Sequence, residues 1–306
     1  MIVLDHASRW YGQVIGINDV SCQILPGITA LLGPNGAGKS TLIKLATGQL
    51  RPSTGYVTVL GEPPFANSRV FRRLGYCPEL ESGCEDMTGR YFVTLMAHLA
   101  GLPSASIPAR VSEVIAFVGM SENADRKIGG YSKGMRQRIK IAQGIVHDPD
   151  VLILDEPLNG LDPPGRRDVT TLLTGLAEKG KCVVVSSHIL YEVEHMTRNI
   201  LLMNHGRVLA QGDIYAIRSL IDAHPHRISI ATKDARALAS QLIALPCVLS
   251  AKLDAMDATQ VEVETRWPDT FYSQFPELVL ANGFDITRFE SPDNNLEAVF
   301  RYLVSG

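Results

Sequence analysis

The chain has 306 residues, more than one ordinary compact domain holds, and 45% of them are apolar, enough for a substantial core. Lys and Arg number 29 against 32 Asp and Glu, a formal net charge of −3, which speaks against a nucleic-acid binder with its basic excess or stripe. No stretch approaches the roughly 18 consecutive apolar residues that span a bilayer, and Met1–Trp10 carries Asp5, His6 and Arg9 where a signal peptide has its apolar core, so a soluble cytoplasmic chain is expected. In chain order, Asp19–Ile24 alternates polar with apolar, the period of a half-exposed strand, and Pro26-Gly27 breaks it. Ile28–Leu32 is a short apolar run leading into a glycine-rich segment, and Thr41–Gly48 reads as helix. Val57–Val59 and Leu74–Tyr76 read as strands, and from about Glu79 to Val146 the pattern is helical, with Ile107, Val111, Val114, Ile115 and Val118 on one face. Val151–Leu154 and Cys182–Val185 lack alternation, as strands of a parallel sheet covered on both faces do. Helices separate them, which predicts an α/β architecture with right-handed crossovers.

The rhythm changes near 217–225. The expected domains are 1–220, with a helical part at about 80–148, and 221–306. In the second domain His226–Ala231, Val248–Leu253, Gln260–Arg266 and Asp285–Phe289 read as strands. Asp234–Leu245, Asp269–Asn282 and Asn295–Leu303 read as helices. That is the β-α-β-β-α-β order of a ferredoxin-like unit with a final helix. The five cysteines, Cys22, Cys77, Cys84, Cys182 and Cys247, show no C-x-x-C spacing and read as reduced, mostly buried thiols.

The glycine-rich segment is Gly33-Pro34-Asn35-Gly36-Ala37-Gly38-Lys39-Ser40-Thr41. Its glycines let the backbone turn tightly and aim successive N–H groups at phosphate oxygens, and a helix beginning near Lys39 adds its positive dipole end. Lys39 supplies a point charge for the β and γ phosphates, and the Ser40 hydroxyl suits Mg²⁺. A strand before and a helix after are the context this phosphate loop requires. Asp155 closes the apolar strand Val151–Leu154, where a carboxylate meets a metal held over such a loop, and Glu156 follows it, placed to orient a water. By itself that pair also reads as charges closing a strand. Tyr131-Ser132-Lys133-Gly134-Met135 precedes an amphipathic helix with Met135, Ile139, Ala142 and Ile145 on one face. Ser132 suits its N-cap, and the segment alone reads as an ordinary capped helix.

Together these residues resemble the nucleotide-binding subunit of an ABC transporter, over residues 1 to about 217. The resemblance makes Gly33–Thr41 the Walker A loop and Val151–Glu156 the Walker B strand with its glutamate. Tyr11, before Gly12, takes the place of the aromatic that stacks on adenine, although Tyr11 or Trp10 also reads as a packing residue. Glu79 stands at the Q-loop and Tyr131–Met135 at the signature, usually LSGGQ. Leu158–Asp162 resembles the D-loop, and His188, after Ser186-Ser187, stands at the H-loop that meets the γ-phosphate. Glutamate replaces glutamine at the Q-loop and adds a negative charge near the phosphates. Methionine replaces glutamine at the end of the signature and lacks its polar contacts.

The resemblance implies an ATPase using ATP and Mg²⁺, the metal held by Ser40, Asp155 and Glu79, with Glu156, His188 and Glu79 as catalytic residues. It implies a head-to-tail homodimer in which Ser132, Lys133, Gly134, Met135 and the D-loop Asp162 act across the interface. It further implies membrane permease partners, no nucleic acid, and a peripheral place on the inner face of the cell membrane. Signature variants of this type, and the ending Asn294–Phe300, are similar to those of exporters with separate ATPase and membrane chains. ATPases of translation or DNA repair usually carry two modules or a long coiled coil, and sugar-importer subunits append an all-β domain. The sequence shows neither two modules nor a long coiled coil, and residues 226–306 alternate strand and helix instead of reading as all-β.

Overall fold

The structure is a computed structural model and describes residues 1–79, 84–188, 193, 195–220, 225–254 and 257–291. It divides into two compact units, Met1–Asp213 and Ile214–Gly306. The expected boundary at 220 lies beyond that division, so the helix Ile214–Leu220 falls in the second unit.

The first unit opens with β1 (Ile2–Tyr11) and β2 (Val14–Ile24), then β3 (Gly27–Leu32), α1 (Lys39–Ala46), β4 (Thr54–Val59), α2 (Ser68–Phe71) and β5 (Leu74–Cys77). Three helices follow: α3 (Gly89–Leu99), α4 (Ile107–Phe117) and α5 (Lys133–Ile145). Next come β6 (Val151–Leu154), α6 (Pro163–Glu178), β7 (Cys182–Ser187) and the hairpin β8 (Asn199–Asn204) and β9 (Arg207–Asp213). β2, β1 and β4 form an antiparallel sheet in that order. From Asp19 to Ile24 exposed and buried residues alternate, as the sequence pattern predicts.

The main sheet runs β5-β6-β7-β3-β8-β9, parallel except for β9 at its edge. Every residue of β6 and β7 is buried, which is why neither strand alternates. One apolar cluster packs α3, α4 and α5 together through Val93, Val111, Val114, Ile115 and Ile139 and continues onto Leu152 and Leu154 of the sheet. β5 and α5 lie unusually close. A Cβ at Gly75 would sit 2.0 Å from the Gly144 carbonyl oxygen, so only glycine fits. Gln143 Nε2 donates to the Tyr76 carbonyl at 2.8 Å, tying the same two elements. The carboxyl ends of β3, β6, β7 and β5 lead into residues 33–38, Asp155, His188 and Glu79. Four neighbouring strand ends therefore converge where open α/β sheets bind ligands.

The second unit contains α7 (Ile214–Leu220), β10 (His226–Thr232), α8 (Ala235–Leu242), β11 (Val248–Leu253), β12 (Gln260–Thr265), α9 (Pro268–Asn282) and β13 (Ile286–Glu290). Its sheet runs β11-β12-β10-β13, antiparallel throughout. This is the β-α-β-β-α-β arrangement of a split βαβ unit. Ile228, Ile230, Val261 and Val263 of the sheet pack on Leu238, Leu242, Phe271 and Phe275 of the helices. The helix expected at 295–303 lies outside the described residues. Among the described residues no helix is long and apolar enough to cross a membrane.

Candidate nucleotide-binding site

Between β3 and α1 the chain turns through Gly33 to Gly38. Gly33 takes φ 151°, and a Cβ there would sit 2.3 Å from the Met203 carbonyl oxygen, so no side chain fits between the loop and β8. Gly38, at φ 103°, begins α1 without any side-chain cap, which leaves first-turn amides for an outside acceptor. The loop is pinned at its back: the Ala37 carbonyl accepts from Gly206 N–H at 3.0 Å, and the Gly206 carbonyl accepts from Asn18 N–H at 2.7 Å.

Lys39 is only 7% exposed. Its Nζ donates to the Gly33 carbonyl at 2.6 Å and reaches the Pro34 carbonyl at 3.4 Å. Glu156 Oε1 lies 3.9 Å from it. Burial pushes the ammonium below the usual lysine range, and the carboxylates of Glu156, Asp155 and Glu79 act against that shift.

Asp155 and Glu156 leave the end of β6 and are held by one buried residue of β7. The Ser186 hydroxyl donates to Asp155 Oδ1 at 2.6 Å and accepts from Glu156 N–H at 2.8 Å. Glu156 is left-handed at φ 49°, a conformation that costs a non-glycine residue on the order of 1 kcal/mol and persists where its surroundings hold it. Its other oxygen, Oε2, is 2.9 Å from His188 Nδ1. Glu156 thus stands between the cation of the phosphate loop and an imidazole. Glu79 Oε1 accepts a long 3.5 Å contact from the Asn159 amide, and the Glu79 carbonyl accepts from Lys140 Nζ at 2.9 Å. Tyr11 stands on the other flank, its hydroxyl 3.5 Å from Thr41 Oγ1 and its ring 5.4 Å from the Arg9 guanidinium.

Tyr11, residues 34–41, Glu79, Asp155, Glu156 and His188 line one cleft of about 540 Å³. That volume lies within the range of roughly 300–1,000 Å³ typical of small-molecule sites. Trp10 is not on its walls, and neither are Ser132, Lys133, Gly134, Met135 or Asp162. Ser132 caps α5, its Oγ accepting from Met135 N–H at 3.2 Å. Met135 packs partly buried against the helical cluster. Asp162 caps α6, accepting from Gly165 N–H at 3.2 Å. Lys133 reaches Gly160, where an added Cβ would lie 3.1 Å from its Nζ. Three wall residues have no role from sequence reasoning: Val14, Ile15 and Gly16. Asn159, in the segment likened to the D-loop, also lines the cleft, although Asp162 of the same segment does not. Gly16 faces Tyr11, and a Cβ there would come within 2.7 Å of the ring, a proximity that only the pairing of β1 and β2 creates.

The ABC transporter family profile matches residues 17–159. The Uncharacterized ABC transporter ATP-binding protein YxlF of Bacillus subtilis (strain 168) is 33% identical over 315 residues, covering 99% of each chain. The chain belongs to the ABC transporter ATP-binding proteins. The ABC-type cassette also brings its fold: a solved structure of the ATP-binding subunit of an ABC transporter superposes with a TM-score of 0.66 at 27% identity, covering 72% of this chain and 92% of that one. Another ABC relative, the Nod factor export ATP-binding protein I of Rhizobium sp. (strain N33), is 33% identical over 225 residues, 73% of each chain. As an ABC ATP-binding subunit the protein is an ATPase that binds nucleotide.

Proposed function

We propose that this ATPase powers export through separate membrane permease chains, as a head-to-tail homodimer at the inner face of the membrane, with Mg²⁺-ATP in each cleft. The observation that carries the reading is the row Lys39, Glu156 and His188 beside the phosphate loop, with Glu156 Oε1 3.9 Å from Lys39 and Oε2 2.9 Å from His188. Loop amides and Lys39 bind the phosphates. Glu156 orients the attacking water and takes its proton, and His188 holds the Glu156 carboxylate and faces the γ-phosphate. Tyr11 stacks on the base. Ser40, Asp155 and Glu79 offer a hydroxyl and carboxylates to a hard cation, an all-oxygen donor set that fits Mg²⁺. Among the described residues no three His, Cys, Asp or Glu side chains form a metal cage, and Mg²⁺ at nucleotide sites takes its remaining ligands from phosphate and water. Bound there, Mg²⁺ neutralises charge building on the phosphates.

Ser132 to Met135 stand off this chain's own cleft, the placement that a contact with a second copy requires. Export is supported by the relative named for Nod factor export. The test of the site is Glu156→Gln: turnover should fall by roughly a hundredfold or more while ATP affinity holds, with an ATP-bound dimer accumulating on size exclusion. Turnover at the unmutated rate would overturn the assignment. Purification of the tagged chain from membranes together with a multi-span protein tests the permease.

A further inference from the structure

The first unit holds a second cavity, of about 380 Å³, that shares no wall residue with the nucleotide cleft. Its apolar side is built by Val114 and Phe117 of α4, Ile145 of α5 and Leu176 of α6. Val114, Ile145 and Leu176 are each below 5% exposed, so this floor is already formed without a ligand (2%, 4% and 4%). Its polar side holds Arg110, Lys179 and Lys181 with Glu113 and Asp148.

Two of these cations are committed. Arg110 donates from Nε to the Val146 carbonyl at 2.9 Å and from Nη2 to the Ile145 carbonyl at 3.0 Å, satisfying the end of α5. Its Nη1 meets Glu113 at 2.9 Å. Lys181 donates to Asp148 Oδ1 and to the Pro149 carbonyl, both at 2.6 Å, and holds the Asp148 carboxyl below its usual range. Lys179 is the third: its Nζ lies 5.1 Å from the centroid of the Phe117 ring, and its charge adds from a distance to the pull of Lys181 on the Asp148 carboxyl.

We propose that this cavity binds a compact organic monoanion, its acid group on Lys179 and its apolar body over Val114, Phe117, Ile145 and Leu176. Three cations against two carboxylates leave the cavity one net positive charge beside its apolar floor, which one negative charge joined to an apolar body matches. A dianion would also meet the carboxylates of Glu113 and Asp148. A neutral apolar ligand would cover the Lys179 ammonium without giving it a partner, which costs free energy. The site is independent of the nucleotide reading, because none of its residues has a role there.

The experiment is calorimetric titration of the full chain with phenylacetate and octanoate, with neutral phenylacetamide as control. Saturable binding of either acid is expected, with the amide at least tenfold weaker. Tighter phenylacetate identifies an aryl ligand and tighter octanoate an alkyl one. Lys179→Glu, an exposed position, should weaken the acid at least tenfold, and Lys179→Arg should retain it. Equal binding by Lys179→Glu and the unmutated chain, equal binding of acid and amide, or no saturable binding of either acid would overturn the proposal.

Discussion

Lys39 and Ser186 show how single side chains set up the cleft. Lys39 is caught between burial, which opposes its charge, and three carboxylates, which favour it, while its Nζ is held on the Gly33 carbonyl. A γ-phosphate can take over that hydrogen bond with no new desolvation of the ammonium. Ser186 is buried and serves two neighbours at once, Asp155 through its proton and Glu156 through its oxygen. Ser186→Ala should leave the Glu156 N–H buried and unsatisfied, at about 1–3 kcal/mol of stability, measurable by denaturant unfolding. The same change should lower turnover about ten- to a hundredfold, because the carboxylates lose the group that orients them. Unchanged turnover would show that Glu156 is positioned by other contacts. Lys39, Asp155 and Glu156 were legible in the sequence because a phosphate loop and an acidic pair closing an apolar strand are themselves signals, whereas Glu79 and His188 were named only through the resemblance. Ser186 carried none of its own: a serine ending an apolar strand reads as small filler until the strand order brings β7 beside β6.

Elements were legible where periodicity was strong. The helical face of Ile107, Val111, Val114 and Ile115 is buried as its spacing predicts, and so are the unalternating strands β6 and β7. The strands of the hairpin β8–β9 were not read from the sequence. β9 packs across one edge of the sheet with mostly half-buried residues, a pattern with no clear period. Helix α8 stops at Leu242, short of the predicted Leu245, because the last turn tightens: Ala244 and Leu245 donate to carbonyls three residues back. Just past α5, His147 links the helix end to β5. Its Nε2 lies 3.1 Å from the Leu74 carbonyl, while Nδ1 is buried with no partner. Burial lowers its pKa from the ordinary 6.5. The unfolded chain therefore takes up the proton first, and the stability tied to the neutral ring is full above 6.5 and lost as pH falls from there toward the lower folded value. Unfolding midpoints measured on both sides of 6.5 should fall more for the unmutated chain than for His147→Gln. Parallel falls would place the pH sensitivity elsewhere.

At the scale of the whole molecule, every residue of the nucleotide cleft lies in Met1–Asp213. A chain cut after Leu220 should fold, as seen by circular dichroism, and bind ATP within a few-fold of the full chain. A folded fragment that fails to bind would show that the second unit completes the site. Trans action is testable by mixing Ser132→Arg with Lys39→Ala subunits. If the signature of one copy closes the cleft of the other, a mixed dimer places both lesions in one site and leaves the second intact, so activity returns. Confirmed mixed dimers without activity would argue that each subunit works alone. In the second unit β10 and β12 were legible because buried and exposed residues alternate along them, and α8 because Ala235, Leu238 and Leu242 share one buried face, whereas α7 was not read. The close seating of β5 on α5 has a consequence for anyone exchanging parts between relatives. Gly75 against Gly144, Gln143 on Tyr76 and Lys140 on the Glu79 carbonyl leave no slip plane between β5, which leads into Glu79, and α5, which Ser132 caps. A chimera that imports residues 74–79 from a relative without its matching 132–145 inherits a misfitted joint, whereas one that imports both as a single cartridge keeps the drive train aligned.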